Sequence, residues 1–501
     1  MLISLVLALT MHSPVGAASD DFVLGDHLAL SASNRVRGEF DSWFDPSGPK
    51  SNNKYQFFIN RLRIGVTLSF PTIEFVVDGQ DTELVNLPGA DSINSGPGTK
   101  GLGPLGTGAV YYANTMTRDQ GEVFLHLGYA TVRDFGLPGV SARVGRFGYN
   151  NGLEKPPTDP TLLWLQRWRM GQRLIGVFDG SNVGRSFDGV QAIYDHGPFN
   201  LTLMGSHPTA GAFNVNANHE IDKVDLVSGT ASLVEPEGLQ PTSAQFFYMY
   251  YGARRGLVAT DNRPVNLPSN QTCAMGSNSY LIRSCDHGNI AINTIGANAV
   301  HIVALGPGKV DLLGWTAGQF GDWQSLHHTA WAYDMEAGYQ LPDVALKPWL
   351  RFVFARASGD KNAADHDHNT FFQMIPASRQ YALFPFFNMM NNQDMYLQGS
   401  VRPVPGLSAA VSGHWLRVTE SSDLLYAGGG ATSSTLFGYT GINVKGRHEL
   451  SYLTDLEFTY AVNQHLLLYA YWGHAFGQGA ISANFVGSNA DFSYIEATVS
   501  L

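Results

Sequence analysis

The sequence predicts an all-β fold, a transmembrane antiparallel β-barrel of about 18 strands with short periplasmic turns and long extracellular loops. Three observations predict it: apolar and polar residues alternate in stretches of about ten residues, short and long connections alternate, and no apolar run reaches the roughly 20 residues of a membrane helix. The clearest alternation runs from Arg61 to Phe70, where every even position is apolar and every odd position is small, polar or charged. One face of such a strand suits lipid and the other suits water.

Composition supports the same class. A hydrophobic content of 44% and a mean hydropathy of -0.08 exclude a helical membrane bundle, while 12% aromatic residues and 55 glycines favour an extended, turn-rich chain. One long apolar run, at residues 2–9, precedes small residues at 14–18. We therefore predict a signal peptide over residues 1–18 and a single outer-membrane barrel over residues 19–501. A genuine N-terminal strand or anchor is the alternative.

The alternating stretches predict strands in chain order, and their even number is the one that single-chain bacterial barrels require. They lie near residues 27–40, 56–70, 73–82, 122–131, 140–148, 185–195, 199–207, 221–234, 244–252, 290–305, 309–320, 330–341, 349–357, 394–402, 407–418, 449–460, 464–473 and 491–501.

The connections between these stretches fall into two kinds. Tight turns rich in Gly, Pro and Asn are predicted to face the periplasm, and they lie at 70–72, 195–198, 306–308 and 461–463. Long, polar, glycine-rich connections are predicted to be extracellular loops, and they lie near 83–121, 149–184, 253–289, 358–393 and 419–448.

The chain has two cysteines, Cys273 and Cys285, in a polar stretch rich in Ser, Asn and Gly. Their spacing permits a disulfide across one loop, which an exported protein can form in an oxidising compartment. Two unpaired thiols are the alternative. A zinc site is not expected, since no further Cys or close His pair completes four ligands.

Several segments together resemble the alginate-export family of outer-membrane channels. They are Arg61-Leu62-Arg63-Ile64-Gly65, Arg143-Val144-Gly145-Arg146, Val183-Gly184-Arg185-Ser186-Phe187-Asp188-Gly189-Val190, Ala357-Ser358-Gly359-Asp360 and the closing strand at 491–501. The resemblance spans most of the mature chain and implies an 18-stranded barrel. The terminal Leu501 departs from the pattern, because such barrels generally end in an aromatic residue.

Arginine dominates the basic residues, with 22 Arg among 31 Lys and Arg in total. By strand phase, five of them point into the lumen, namely Arg35, Arg37, Arg61, Arg63 and Arg143. We also assign Arg146 and Arg185 to the lumen path. A guanidinium offers paired donors to a carboxylate, so an arginine-lined pore suits an acidic solute despite the net charge of -11. The alternative is that these arginines brace the wall by pairing with lumen carboxylates such as Glu39, Glu74, Asp78 and Glu122.

The loop from Glu154 to Arg173 combines aromatic rings with positive charge. We assign it as a candidate constriction built from Trp164, Arg167, Trp168, Arg169 and Arg173. Aromatic faces stack on sugar rings and arginines pair with carboxylates, so the segment suits a uronate chain if it folds inward. A rim loop whose tryptophans pack on the barrel or on lipid headgroups explains the same residues.

Two motifs point to other chemistry. Gly101-Leu102-Gly103-Pro104-Leu105-Gly106 matches the dinucleotide fingerprint in its letters, but it lacks the flanking strand and helix and is interpreted as a flexible loop. Asp365-His366-Asp367-His368 offers oxygen and imidazole ligands for a divalent cation such as calcium, although a solvated loop is the simpler interpretation. No cofactor, no nucleic-acid partner and no catalytic set are expected, and the chain is not interpreted as an enzyme.

The resulting hypothesis is a passive channel in the outer membrane of a Gram-negative bacterium. An anionic polysaccharide similar to alginate would leave the cell through it, with outer-membrane lipid around the barrel and a periplasmic scaffold of a secretion complex as partners. We expect a monomer. The alternative to polysaccharide export is a porin for small anionic or sugar solutes. A barrel enzyme and an adhesin are less favoured hypotheses.

Overall fold

The computed structural model describes residues 22–46, 51–94, 101–265, 273, 281–377 and 383–501. The predicted signal peptide lies outside these residues. Eighteen long strands form the wall, and each of the predicted strands is found. They are β1 Leu28–Ser42, β2 Lys54–Ser69, β3 Ile73–Val85, β4 Gln120–Val132, β5 Val140–Phe147, β6 Phe187–His196, β7 Phe199–Pro208, β8 Val224–Val234, β9 Thr242–Ala253, β10 Ile290–Leu305, β11 Gly308–Trp323, β12 Leu326–Gln340, β13 Trp349–Ala357, β14 Asn392–Val404, β15 Leu407–Val418, β16 Glu449–Ala461, β17 Leu466–Gly477 and β18 Asn489–Ser500.

Each strand pairs antiparallel with the next, and β18 pairs with β1 to close the sheet. At this closure Ser33 lies opposite Ser500 and Ser42 lies opposite Asp491. Closure satisfies the backbone hydrogen bonds within the wall, which is why only closed barrels and helices cross the apolar core of a bilayer. The predicted fold class is confirmed.

The wall has the two faces that the alternation predicts. In β2, Ile64 is 57% exposed on the outside, whereas Arg61 on the inside is 5% exposed. Outward apolar side chains such as Val77, Val190 and Leu397 continue this exposed belt around the barrel, as a lipid-facing surface requires.

The connections differ from the predicted pattern in one place. Most connections at the end predicted to be extracellular are long, but β11 and β12 are joined there by Gln324 and Ser325 alone. Gln324 takes a φ of 56°, as a tight hairpin requires. β11 and β12 therefore contribute no long loop to this end of the barrel.

Helices occur only in connections and turns of the described chain. They are α1 Thr107–Thr115, α2 Pro160–Leu165, α3 Gly479–Ser482, a π turn Gln166–Met170 and the 3-10 turns Ala90–Ser92, Asp179–Ser181 and Arg283–Cys285. Short strands accompany the loops at Phe22–Leu24, Asp45–Pro46, Asp367–His368, Leu424–Gly428, Tyr439–Asn443 and Phe485–Gly487. None of the described helices is long and apolar enough to cross a membrane.

Candidate functional site: the arginine-lined lumen

The loop between β5 and β6, residues 148–186, folds into the lumen, and we call it the plug loop. Its helix α2 begins after Asp159, whose carboxylate accepts hydrogen bonds from the backbone N–H groups of Thr161 and Leu162. Buried apolar side chains of this loop share one hydrophobic core with wall residues, including Leu162, Leu165, Met170, Val300 and Trp315. The burial of this apolar face holds the loop inside the barrel.

Two arginines of the plug loop meet carboxylates on the wall. Arg169 binds Glu336 at 2.9 Å, and Arg173 binds Asp334 at 2.5 Å. Glu336 also binds the wall residue Arg351 at 3.0 Å. Together with Asp311, the second partner of Arg351, these residues form what we call the sealed cluster. Its six side chains are at most 5% exposed, so Arg169 and Arg173 fasten the loop and are not open to solute.

On the other side of the plug loop, arginines of the wall meet a carboxylate of the loop. Asp179 accepts from Arg61 at 2.5 Å, from Arg63 at 3.0 Å and from Arg35 at 3.5 Å. The Asp179 side chain is 19% exposed and that of Arg63 is 16% exposed. This convergence therefore retains contact with the aqueous lumen.

Arg37 completes this group, which we call the open cluster. Its guanidinium donates to Glu496 at 2.6 and 2.9 Å, lies 3.5 Å from Glu39, and stacks over the Tyr494 ring at 4.1 Å. The open cluster consists of Arg35, Arg37, Arg61 and Arg63 with the carboxylates that pair with them, Asp179, Glu496 and Glu39. The four arginines thus outnumber their paired carboxylates by one.

Some of the expected bracing partners are engaged elsewhere. Glu74 pairs with Arg133, and Asp78 pairs with His126 at 2.8 Å. Arg143 lies on the lumen face, where it donates to Thr131 at 3.1 Å and stacks on a tyrosine ring at 4.5 Å. It forms no ion pair within the described chain, so its charge is available to the lumen.

The assignment of Arg146 to the lumen is wrong. Arg146 follows Arg143 by three positions, and this spacing places two side chains on opposite faces of a strand. Arg146 binds Asp188 through both carboxylate oxygens, at 2.7 and 2.6 Å. Asp188 shares the outward phase of Val190, which is 57% exposed. The pair therefore lies on the outer face of the wall.

Arg185 also lies away from the solute path. It precedes β6 within the plug loop, is 2% exposed, and donates to the carbonyl of Gly429 at 2.6 Å. Its guanidinium carbon is 5.2 Å from the centre of the Phe178 ring. Arg185 therefore joins two loops and does not line the lumen wall.

The residues of the tryptophan-rich part of the plug loop differ in their surroundings. Trp164 packs against Trp349 of the wall with ring centres 4.6 Å apart. This tryptophan therefore packs on the barrel, as the rim-loop alternative expected, although the loop itself folds inward. Arg167 and Trp168 are half-buried. Arg167 forms no ion pair among the described residues, and it is the member of this group that keeps a charge for a solute.

Five loops, together with Phe178 of the plug loop, enclose an apolar cavity of about 270 Å³, which we call the mouth cavity. It is rich in aromatic side chains, and its lining includes Phe178, Phe213, Phe387, Phe437 and Tyr439. Phe178 borders this cavity while its neighbour Asp179 reaches the open cluster. The mouth and the arginines are thus adjacent.

Asp423 joins two of the loops around the mouth. It accepts hydrogen bonds from the Thr370 hydroxyl at 2.6 Å and the Asp360 backbone N–H at 2.9 Å, and from the Tyr426 hydroxyl at 2.7 Å. Burial raises the pKa of Asp423 to about 7, against the opposing effect of these donors. The junction between loops 358–391 and 419–448 therefore depends on a carboxyl that titrates near neutrality.

The residues considered for a cation are separated in the structure. His368 is buried against His328 and stacks on the Trp323 ring at 4.1 Å, while Asp365 binds Asn362 at an exposed turn. No group of three or more His, Cys, Asp or Glu side chains suited to a metal ion occurs among the described residues. Cys273 and Cys285 form a disulfide with their Cα atoms 5.4 Å apart.

Sequence reasoning missed Asp179, the residue on which the open cluster converges. Strand phase identifies wall residues, but Asp179 belongs to a 3-10 turn inside a long loop, where phase has no meaning. The available signal was its place in a loop expected to fold inward opposite unpaired arginines. Gln80 was missed as well, and it donates to the Val183 carbonyl of the same segment at 2.8 Å.

Comparison with known proteins agrees with this architecture. The family model for alginate export matches residues 27–494. The crystal structure of Pseudomonas aeruginosa OpdK with vanillate superposes with a TM-score of 0.53 at 10% identity, covering 94% of this chain and 98% of that one. OccK9 (OpdG) of the same organism gives 0.54 at 10%, with 94% and 98% covered, and Acinetobacter baumannii OccAB4 gives 0.54 at 9%, with 95% and 98% covered.

No curated protein sequence matches the chain. The structural likenesses show a shared barrel fold, whereas the family model extends over nearly the whole chain. The chain belongs to the alginate export family and is an 18-stranded β-barrel of the bacterial outer membrane.

Proposed function

We propose that this barrel is a passive channel for small solutes that carry a carboxylate, and that the open cluster selects them. The observation that carries this proposal is the binding of Asp179 by Arg35, Arg61 and Arg63. Three guanidinium groups of the wall hold the carboxylate of Asp179. The same geometry can hold the carboxylate of a solute. Arg143 and Arg167 supply further positive charge without ion-pair partners in the described chain.

The size of the solute follows from the plug loop. The loop shares a buried hydrophobic core with the wall, and the mouth cavity beside it has a volume of about 270 Å³. A small carboxylate fits this space with less rearrangement than a polysaccharide. The resemblance to OpdK, which was crystallised with vanillate, supports a small solute by analogy.

A second candidate is export of an anionic polysaccharide similar to alginate, with a periplasmic scaffold supplying the chain. Membership of the alginate export family favours it. The same arginines serve both candidates, because a uronate polymer presents the same carboxylate group. The two candidate functions differ in one requirement. A polymer requires the plug loop to move away from the wall, whereas a small carboxylate does not.

Charge reversal at the open cluster tests the proposal. In planar bilayers, Arg61→Glu/Arg63→Glu should change the preference from anions to cations, and the anion-to-cation permeability ratio should fall about tenfold, since both charges lie within a Debye length of about 8–10 Å of the path. Arg254→Glu is the control, because this arginine is 59% exposed outside β9. Unchanged selectivity in a heat-modifiable, folded double variant would refute the proposal.

Solute size separates the two candidates. Liposomes containing the channel should swell in solutions of glucuronate and of benzoate, which permeate. They should not swell in a solution of a uronate octamer, which does not. Equal permeation by the octamer would favour polymer export. Permeation by glucose as fast as by glucuronate would remove the role assigned to the arginines.

A further inference from the structure

The plug loop segment from Phe178 to Val183 separates the mouth cavity from the open cluster. Its backbone carbonyls are held from the lumen side: Arg35 donates to the Asp179 carbonyl at 2.7 Å and Arg37 to the Gly180 carbonyl at 2.8 Å. The Tyr111 hydroxyl of α1 donates to Ser181. The segment therefore lies between the mouth cavity, which Phe178 lines, and the arginines, which Asp179 contacts.

The segment is held in this position at a conformational cost. Phe178 and Asn182 take φ values of 53° and 64°, in the left-handed region that side chains other than glycine seldom occupy. Both polar atoms of the Asn182 side chain are buried without a hydrogen bond in the described chain. An unpaired buried amide and two left-handed residues disfavour the closed position locally. The contacts of the segment with the wall and α1 oppose this cost, and the ion pairs of Asp179 are the charged ones among them.

We propose that residues 178–182 form a gate and that Asp179 is its latch, a tethered carboxylate that occupies the place of the solute's own. This inference rests on the proposed function and adds how the site opens. A solute carboxylate that replaces Asp179 leaves Arg61 and Arg63 paired, so the exchange avoids the cost of unpaired guanidinium groups. If the gate opens without a solute, Arg61 and Arg63 are left without a paired carboxylate.

The mouth cavity indicates which carboxylates open the gate. Aromatic and aliphatic side chains surround it, and the rings of Phe213 and Phe178 lie 5.4 Å apart at its inner end. An apolar body buried there gains hydrophobic free energy while its carboxylate points to Asp179. The gate therefore responds best to a carboxylate with an apolar or planar body, and less to acetate.

The latch is tested by Asp179→Asn in planar bilayers with chloride as the permeant anion. The variant keeps the side-chain shape and removes the charge, so chloride conductance and the anion-to-cation permeability ratio should each rise about threefold or more. Asp188→Asn is the matched control, because it removes the carboxylate of an Arg–Asp pair on the outer face and should leave both quantities unchanged. Conductance of the folded Asp179→Asn variant at or below that of the wild type would overturn the latch.

Ligand preference is tested on the same channels with benzoate and acetate. In the wild type, benzoate on the mouth side should compete with chloride at a concentration about tenfold lower than acetate, and Phe213→Ala should reduce this difference. Equal competition by the two anions would refute the aromatic subsite. If Arg61→Glu/Arg63→Glu reverses selectivity while Asp179→Asn changes nothing, the gate fails and the proposed function stands; if neither variant changes selectivity, both fail.

Discussion

The two arginine clusters use the same chemistry with the roles of wall and loop exchanged. In the sealed cluster, Arg169 and Arg173 come from the plug loop and bind carboxylates of the wall. In the open cluster, the wall supplies the arginines and the plug loop supplies Asp179. Exposure differs too: Arg173 and Asp334 are 0% exposed, whereas Asp179 is 19% exposed.

This difference shows what separates a structural ion pair from a binding site within one lumen. Three arginines and three carboxylates balance in the sealed cluster, and removal from water leaves them no exchange partner. In the open cluster, the arginines outnumber the paired carboxylates, and one of those carboxylates, Asp179, is on the plug loop and not on the wall. An arginine on the lumen face is therefore a candidate for solute binding only when its counter-ion can leave.

The largest effect is expected from breaking the sealed cluster. Arg173→Met leaves Asp334 buried without its main partner, and the free energy of unfolding should fall by about 3–5 kcal/mol. The midpoint of urea unfolding, followed by the heat-modifiable band, measures this loss. Adding Asp334→Asn to the same chain should restore most of the stability. If the single variant matches the wild type, the cluster does not hold the plug loop in place.

A smaller effect is expected at the junction of the mouth loops through Asp423. Its pKa is raised from 3.8 to about 7, so the folded junction takes up a proton between these values. The resulting stabilisation is complete below about pH 4 and is lost as the pH rises through 7. Protection factors of mouth-loop amides should be about a hundredfold lower at pH 8 than at pH 5, because pH 5 lies about two units below the pKa of the folded state. In Asp423→Asn, a pH dependence as steep as in the wild type would assign the effect to another group.

The smallest effect is expected at the outer face. Arg146→Gln removes an ion pair whose side chains are 11% and 23% exposed, so it should cost about 1 kcal/mol or less. Reversal potentials should equal those of the wild type, because the barrel wall separates this charge from the lumen. A measurable loss of anion preference would return Arg146 to the solute path and would weaken the contrast between the two faces.

The wall was predictable from the sequence because its strands are amphipathic and their period is two. Arg35, Arg37, Arg61 and Arg63 were therefore placed on the correct face by counting alone. Residues at 145–190 show the limit: Arg146 was misassigned where phase was not applied, and Asp179 was missed where phase does not exist.

The partners inside the lumen could not be predicted for a physical reason. Ion pairs such as Arg169 with Glu336 join positions 167 residues apart, and they depend on how a long loop packs against an apolar part of the wall. Local pattern carries no information about that packing. The Trp and Arg content of 164–173 did indicate a loop that folds inward, but the sequence did not show which of its arginines are neutralised.

The seam between the first and last strands gives the open cluster a further property. Arg37 of β1 and Glu496 of β18 form an ion pair that joins positions 459 residues apart, and Arg35 approaches the same carboxylate. These groups meet only when β18 pairs with β1, the contact that closes the barrel. The charges that line the lumen thus also fasten the seam, and a barrel that does not close leaves Arg35 and Arg37 without the carboxylate of Glu496.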